Sequence, residues 1–217
     1  LPPAEAAHAI RVMRLGEGSE IAVADGKGSI YKARIERADP NNCRVAVIDR
    51  AEQPRHWKRS LHIAIAPTKN ADRTEWFCEK AAEVGVNRIS LLRCAHSERR
   101  ELRTDRLEKI LVSAMKQSGQ AHLPALDSMT DFADFIRRPH PARKLIAHCA
   151  PGSKASLQSC CRQADALILI GPEGDFSPVE IDLAVEAGFA SISLGPSRLR
   201  TETAGLVACI TWHNAQG

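Results

Sequence analysis

The sequence predicts an α/β protein in which a parallel sheet covered by helices follows a small β-rich module. Three observations carry this. From residue 55 onward, short and near-continuously apolar runs alternate with segments of helical periodicity five times over, the pattern of strands buried between two helical layers. Before residue 55 the regular segments are short, β-branched and separated by turn residues. Near the C-terminus, Ile170-Gly171-Pro172-Glu173-Gly174 and Leu194-Gly195-Pro196-Ser197-Arg198-Leu199-Arg200-Thr201-Glu202-Thr203 each follow an apolar run and lead toward a helix. That places both loops at the C-terminal edge of the sheet, where open α/β folds bind ligands. The change of pattern divides the chain into domains 1–54 and 55–217.

With 217 residues the chain is long enough to bury a sizeable core in one large domain or two modest ones. Lysine and arginine number 30 against 26 acids, a net charge of +4. This permits nucleic-acid binding without requiring it. Seven cysteines (Cys43, Cys78, Cys94, Cys149, Cys160, Cys161 and Cys209) form an odd set without C-x-x-C or histidines at zinc-ligand spacing. They read as reduced, mostly buried thiols of a cytoplasmic protein with no metal. No apolar run approaches the ~20 residues of a membrane span, and no basic-then-apolar leader is present. The chain opens on Leu1 rather than methionine, so native residues are expected to precede it.

In chain order, a helical turn is expected around 4–14, then strands over 20–24, 29–35 and 43–48, forming a meander or small barrel. Asp25-Gly26-Lys27-Gly28 is a hairpin signal and Asp39-Pro40-Asn41-Asn42 a turn. Arg11, Arg14, Lys27, Lys32, Arg34 and Arg37 decorate this module, as a solvated face or an RNA-facing one. Residues 51–59 are polar and carry Pro54, which suits a linker. A strand follows at 61–66. Then a helix is expected to begin at Asp72, with Glu75 at capping-box spacing, an apolar stripe of Phe77, Ala81 and Val84, and Gly85 as its stop. After a strand at 88–92, the arginines at 93, 99, 100, 103 and 106 form a basic rim that reads first as a solvated helix face, although its Arg99-Arg100 pair also suits phosphate contacts. Leu107, Ile110, Leu111 and Ala114 mark an amphipathic helix running to Ser118. The remaining elements are a helix over 132–137, a strand over 144–148, a helix over 153–163 and a strand over 166–170. A helix capped by Ser177, Pro178 and Glu180 then stops at Gly188, before a strand over 190–194 and a helix over 203–213.

Several common chemistries are excluded by the same residues. The turn after the first strand of the large domain, Ala66-Pro67-Thr68-Lys69-Asn70, has no glycine, so it is no dinucleotide fingerprint, and neither a P-loop nor a G-x-S-x-G elbow occurs. His62, His148 and His213 are scattered singly, as structural histidines usually are.

The first C-terminal loop, continued by Asp175-Phe176-Ser177, and the second loop about twenty residues later closely resemble those of SPOUT-class RNA methyltransferases. Within that class they resemble the family that methylates uridine N3 in small-subunit ribosomal RNA. Upstream matches are Lys69, Glu75, the stretch Glu79-Lys80-Ala81-Ala82-Glu83-Val84-Gly85-Val86, and Gln117-Ser118-Gly119 with Pro124. His8-Ala9-Ile10-Arg11-Val12-Met13-Arg14-Leu15 and Asp25-Gly26-Lys27-Gly28 fit that family's PUA-like RNA-binding module, so the resemblance covers nearly the whole chain. It implies a PUA-like β-barrel followed by a SPOUT domain with a deep trefoil knot, S-adenosylmethionine as cofactor, and a homodimer with sites at the subunit interface. It also implies cofactor binding by Ala147, His148, Ile170, Gly171, Pro172, Glu173, Gly174, Leu194, Gly195, Ser197, Leu199 and Arg200. RNA contacts are expected from Arg11, Arg14, Lys69, Arg99 and Arg100. Two positions depart from the family pattern: Asp175 stands where a second glycine is expected, and Gln120 where an arginine is common.

The implied chemistry makes particular demands on these residues. A methyl group on a sulfonium is already activated, so the enzyme mainly has to align it with its acceptor. Uridine N3 carries a weakly acidic proton that must leave as transfer proceeds. Arg200 is the candidate to stabilise charge developing on the uracil oxygens, with Glu202 or Glu173 as proton acceptor. For Glu202 a charge favoured by the helix dipole is the competing reading. The alternatives to this function are a non-catalytic RNA-binding or ribosome-assembly factor, and a methyltransferase of the same class acting on another RNA such as transfer RNA.

Overall fold

The computed structural model describes residues 1–140, 142–160 and 164–216. It divides into two compact units, Leu1–Arg55 with Gly119–His122, and His56–Ser118 with Leu123–Gly217.

The first unit is built on an antiparallel meander of β1 (Glu20–Ala24), β2 (Ser29–Arg37) and β3 (Arg44–Glu52). The hairpin between β1 and β2 is closed by Asp25, whose Oδ1 accepts from the backbone N–H of Lys27 and Ser29 while Gly26 and Gly28 take positive φ. Helix α1 (Pro3–Ala7) runs into a π-helical turn, His8–Val12, and buries Ala6 against Ile35 and Cys43. Residues 119–122 belong to this unit through paired bonds: Ala121 accepts from Gly28 N–H, and the Gln53 side chain bonds both Gly119 and Ala121.

The second unit is a seven-stranded sheet in which every pairing is parallel. Its strands are β4 (Leu61–Ile65), β5 (Arg88–Arg93), β6 (Ala125–Asp131), β7 (Arg143–Ala147), β8 (Ala155–Ser156), β9 (Ala166–Ile170) and β10 (Ala190–Ser193). They are arranged β6-β5-β4-β9-β7-β10-β8. The helices are α2 (Ala71–Val84), α3 (Thr104–Gln117), α4 (Phe132–Arg137), α5 (Leu157–Cys160), α6 (Pro178–Glu186) and α7 (Thr201–Asn214).

Strand geometry sorts the core into two layers, because successive side chains point to opposite faces. Leu61, Ile63, Ile65, Ile89, Leu91, Leu145, Ile168 and Ile170 pack with α2, α3, α5 and α7 through Phe77, Leu107, Leu111, Leu157 and Trp212. Their neighbours Ala64, Leu92, Ile146, Leu167 and Leu169 pack with α4 and α6 through Phe132, Phe135 and Ala184. Covering both faces is why these strands read as unbroken apolar runs, each large side chain contributing about 1.5–3 kcal/mol of burial.

The structure corrects four expectations. Helix α2 is capped by Asn70, whose Oδ1 accepts from Asp72 N–H, so the helix starts before Asp72; Glu75 turns instead to Arg106 at 2.8 Å. Where one helix was expected over 153–163, a two-residue strand pairs with β10 and is followed by the single turn of α5; residues 161–163 lie outside those described. Helix α7 begins at Thr201, two residues early. Strand β6 carries no apolar run and was not anticipated: it is an edge strand with no fully buried residue. The cap of α6 is as expected, with Ser177 and Glu180 bonded reciprocally.

Candidate functional site

Strands β9, β7 and β10 lie side by side and parallel, so the chain leaves the sheet after Ile170, Ala147 and Ser193 on one edge. The loops that follow wall a cleft of about 890 Å³, within the ~300–1,000 Å³ range of small-molecule sites. Both Gly-Pro loops face it.

Each wall is held by specific bonds. Thr201, at the start of α7, donates its hydroxyl to Gly171 O at 3.1 Å, joining the two Gly-Pro loops. A Cβ on Gly171 would lie 3.1 Å from the Phe176 ring and backbone, and one on Gly174 would lie 3.0 Å from His96 Cβ. A side chain at either position would therefore press on its neighbour by a few tenths of an ångström. His96 Nδ1 lies 3.1 and 3.0 Å from the carbonyls of Gly174 and Asp175; carbonyls only accept, so that nitrogen carries the proton. Gly195 holds φ at 130°, a conformation that other residues rarely adopt.

Glu173 Oε1 accepts from the backbone N–H of Lys69 at 2.9 Å, which ties the loop after β4 to the cleft. Arg99 braces that loop by donating to the carbonyls of Thr68 and Lys69 at 3.1 and 2.6 Å. Lys69 Nζ pairs with Glu98 at 2.7 Å, and Glu98 pushes the ammonium pKa upward. His148 closes the third side. Its Nε2 lies 2.9 Å from Ser191 Oγ, while Nδ1 is buried with no partner among the described residues. Burial, reinforced by Lys154, lowers its pKa, against a smaller opposing effect of Asp175, so the ring is neutral near pH 7.

All but one of the residues expected to bind cofactor line this cleft: Ala147, His148, Ile170, Gly171, Pro172, Glu173, Gly174, Leu194, Gly195, Ser197 and Leu199. Arg200 does not; it is exposed at the N-cap of α7. Nor does Glu202, which is buried in the first turn of α7 with Oε1 3.8 Å from Arg73 and Oε2 unpartnered among the described residues. Of the expected RNA contacts, Arg11 and Arg14 are exposed on the first unit, and Lys69 and Arg100 on the second. Arg99 is half-buried and engaged with backbone carbonyls.

The cleft also contains residues that sequence reasoning missed, among them Cys149, Ala150, Pro151, Lys154, Asp175, Phe176 and Arg198. The Pro151-Gly152 turn after β7 was the available signal for the first group. Among the described residues no group of three or more histidines, cysteines or acids is arranged to hold a metal, and no helix is long and apolar enough to cross a membrane.

This donor set fits S-adenosylmethionine. Glycine-rich backbone is suited to the polar edge of adenine, Leu194 and Leu199 offer apolar surface to its ring, and the buried His148 Nδ1 is a polar atom left for a ligand. The comparisons with known proteins agree with that chemistry. The chain is 44% identical to a probable rRNA-methyltransferase from Porphyromonas gingivalis, with a TM-score of 0.93 covering 100% of this chain and 92% of that one. It is 29% identical to a methyltransferase from Legionella pneumophila solved with bound SAM, with a TM-score of 0.90 over 100% and 91% of the two chains. It is 26% identical to the ribosomal RNA small subunit methyltransferase E of Bacillus subtilis, across 94% of this chain and 85% of that protein. The model of the RNA methyltransferase PUA domain matches residues 1–48, and that of the RNA methyltransferase domain matches residues 55–213. With the cleft walled by the very loops on which the resemblance rests, the chain belongs to the RNA methyltransferase domain family.

Proposed function

We propose that this protein methylates N3 of a uridine in small-subunit ribosomal RNA, using S-adenosylmethionine and acting as a homodimer. The observation that carries the reading is the cleft at the ends of β7, β9 and β10, walled by both Gly-Pro loops, in a chain of this family. When bound, the cofactor supplies a methyl group already activated on a sulfonium. The chain's own residues do the rest. Backbone groups of residues 171–174 and 194–195 hold adenine, with Leu194 and Leu199 against its ring. His148, neutral and fixed by Ser191, offers its unpartnered nitrogen to a polar group of the ligand.

Glu173 is the better placed of the two acids to take the N3 proton, because it lines the cleft and one carboxylate oxygen is anchored on Lys69 N–H. Arg200, exposed at the rim, stabilises charge on the uracil oxygens. Glu202, turned to Arg73 and away from the cleft lining, is assigned to the start of α7, where an acid is favoured by the helix dipole. Arg11, Arg14, Lys69 and Arg100 contact RNA, and Arg99 shapes the loop that carries Lys69. The trefoil knot belongs to the same reading. Supporting it is the strand order β4-β9-β7-β10, in which β9 is inserted between two strands that precede it in sequence.

Mass spectrometry of nucleosides from small-subunit ribosomal RNA of cells lacking this gene tests the proposal. Loss of one N3-methyluridine, restored by the wild-type gene, is the expected result. An unchanged modification pattern would overturn the assignment.

A further inference from the structure

Asp175 is one of two residues other than glycine with positive φ among those described, at 63°. An L-residue other than glycine, asparagine or aspartate rarely holds this conformation. Asp175 uses it to aim both carboxylate oxygens at backbone donors. Oδ1 accepts from its neighbour Phe176 N–H at 2.8 Å. Oδ2 accepts from Cys149 N–H at 2.7 Å, across the cleft edge in the loop after β7. Cys149 and Asp175 both line the cleft. The backbone carbonyl of Asp175 is in turn bonded by His96. The loops after β7 and β9 are therefore clasped to each other by one side chain.

The clasp is also a charge. Both bonds to Asp175 come from neutral amides, and no ion pair of Asp175 occurs among the described residues. Asp175 is thus an acidic group in the wall of a cleft that Glu173, Lys154 and Arg198 also line, where charge interactions are stronger than in bulk water. S-adenosylmethionine and S-adenosylhomocysteine differ there by one methyl group and one positive charge. An acidic group in the wall favours the cation over the neutral product, the more so the nearer the sulfur lies to it.

We propose that Asp175 is a positioning and specificity-determining residue: it clasps the loop after β7 to the loop after β9 and biases the cleft toward the cationic donor over the neutral product. A chain with glycine at this position has neither the bond nor the charge. The proposal rests on the cofactor reading given above, and its test separates the two. Asp175→Gly removes clasp and charge at a position whose φ glycine accepts, and Asp175→Asn removes the charge while keeping an amide oxygen to accept from Cys149.

The clasp is read first without ligand, by amide hydrogen exchange. Cys149 N–H is expected to exchange at least tenfold faster in Asp175→Gly than in wild type, and unchanged exchange would refute the clasp. Calorimetric titration of each protein with S-adenosylmethionine and S-adenosylhomocysteine then reads the charge. In Asp175→Asn the ratio of product Kd to donor Kd is expected to fall about fivefold relative to wild type, a change of about 1 kcal/mol in differential binding. An unchanged ratio in both variants would refute the bias. If wild type binds neither compound, the cofactor reading fails, and the specificity role of Asp175 with it, whatever the exchange data show.

Discussion

Arg200 shows how far a motif reaches at the scale of one residue. The resemblance assigns it to the cofactor and the chemistry, but in the single chain its side chain is exposed and outside the cleft lining. An exposed arginine at the N-cap of α7 is free to meet RNA, so its contribution is expected in the transition state rather than in cofactor binding. Arg200→Ala should lower kcat by about 10²-fold, the scale of losing one charge-stabilising donor. The Kd for S-adenosylmethionine should stay within about twofold. Single-turnover methylation beside calorimetry checks this, and a weakened Kd with unchanged kcat would make Arg200 a cofactor ligand instead. Gly171 is crowded by Phe176, five residues on, a local need that a glycine in a loop signals, whereas Gly174 is crowded by the distant His96. The role of Asp175 was not legible. Its partner, Cys149, is brought to it by the pairing of β7 with β9, which no local pattern encodes.

Among the elements, those found from sequence are the ones that bury apolar runs. β4 and β9 pair through their whole length and have helices on both faces, so β9 is apolar on both sides and β4 carries Leu61, Ile63 and Ile65 on one face with His62 and Ala64 on the other. β6 and β8 escaped detection because they lie at the two ends of the sheet and carry mixed polarity. Helix α7 illustrates a third case. Its apolar residues go nearly all the way round, and Gly205, a poor helix former, sits in its middle. The structure gives the reason: a Cβ on Gly205 would lie 2.6 Å from the buried Phe77 ring and 3.1 Å from Ile65. The glycine lets α7 approach α2 and β4 closely enough to bring Thr201 onto Gly171. Gly205→Val should therefore destabilise the protein by about 2–3 kcal/mol through overpacking, measured by denaturant unfolding. It should also weaken cofactor affinity by loosening the wall that α7 supports. A fully retained melting temperature would mean that the α2–α7 contact is looser than the distances imply.

For the molecule as a whole, two predictions concern the second unit. The first tests the proposed assembly. Helices α2 and α7 pack on each other and leave Trp76 and Ile210 42% and 41% exposed, while Trp212 Nε1 and Glu202 Oε2 are buried without partners among the described residues. Exposed apolar side chains beside buried polar atoms without partners make this face the one at which the proposed homodimer is tested. If the proposed homodimer forms through this face, wild type sediments as a dimer and Ile210→Lys shifts it toward monomer, whereas a wild-type protein that sediments as a monomer would remove the homodimer from the proposed function.

The second prediction concerns sensitivity to acid. His213 is buried, stacked on Trp57 at 4.3 Å, and neither of its ring nitrogens has a partner among the described residues. Burial lowers its pKa from 6.5 to about 4. His62 is lowered to about 4 as well, first by burial and then by Arg88, with Asp127 acting against them. Its Nε2 lies 2.7 Å from Ser90 Oγ, whose proton goes to Asp127 at 2.5 Å. Both histidines are thus kept neutral by the fold. Above about pH 6.5 they are neutral in the folded and unfolded chains alike, and the stability tied to them is fully present. As pH falls from 6.5 toward 4 the unfolded chain takes up protons that the folded chain refuses, so this stability is progressively lost, and the loss levels off below 4. The melting temperature should therefore decline between pH 7 and pH 5, before most carboxylates titrate. His213→Phe keeps a ring for Trp57 to stack on and removes one of the two proton-binding sites. Its melting temperature should fall less over the same interval, so that its advantage over wild type is larger at pH 5 than at pH 7. Parallel melting curves for the two proteins from pH 7 to pH 5 would show that His213 is not held neutral by the fold.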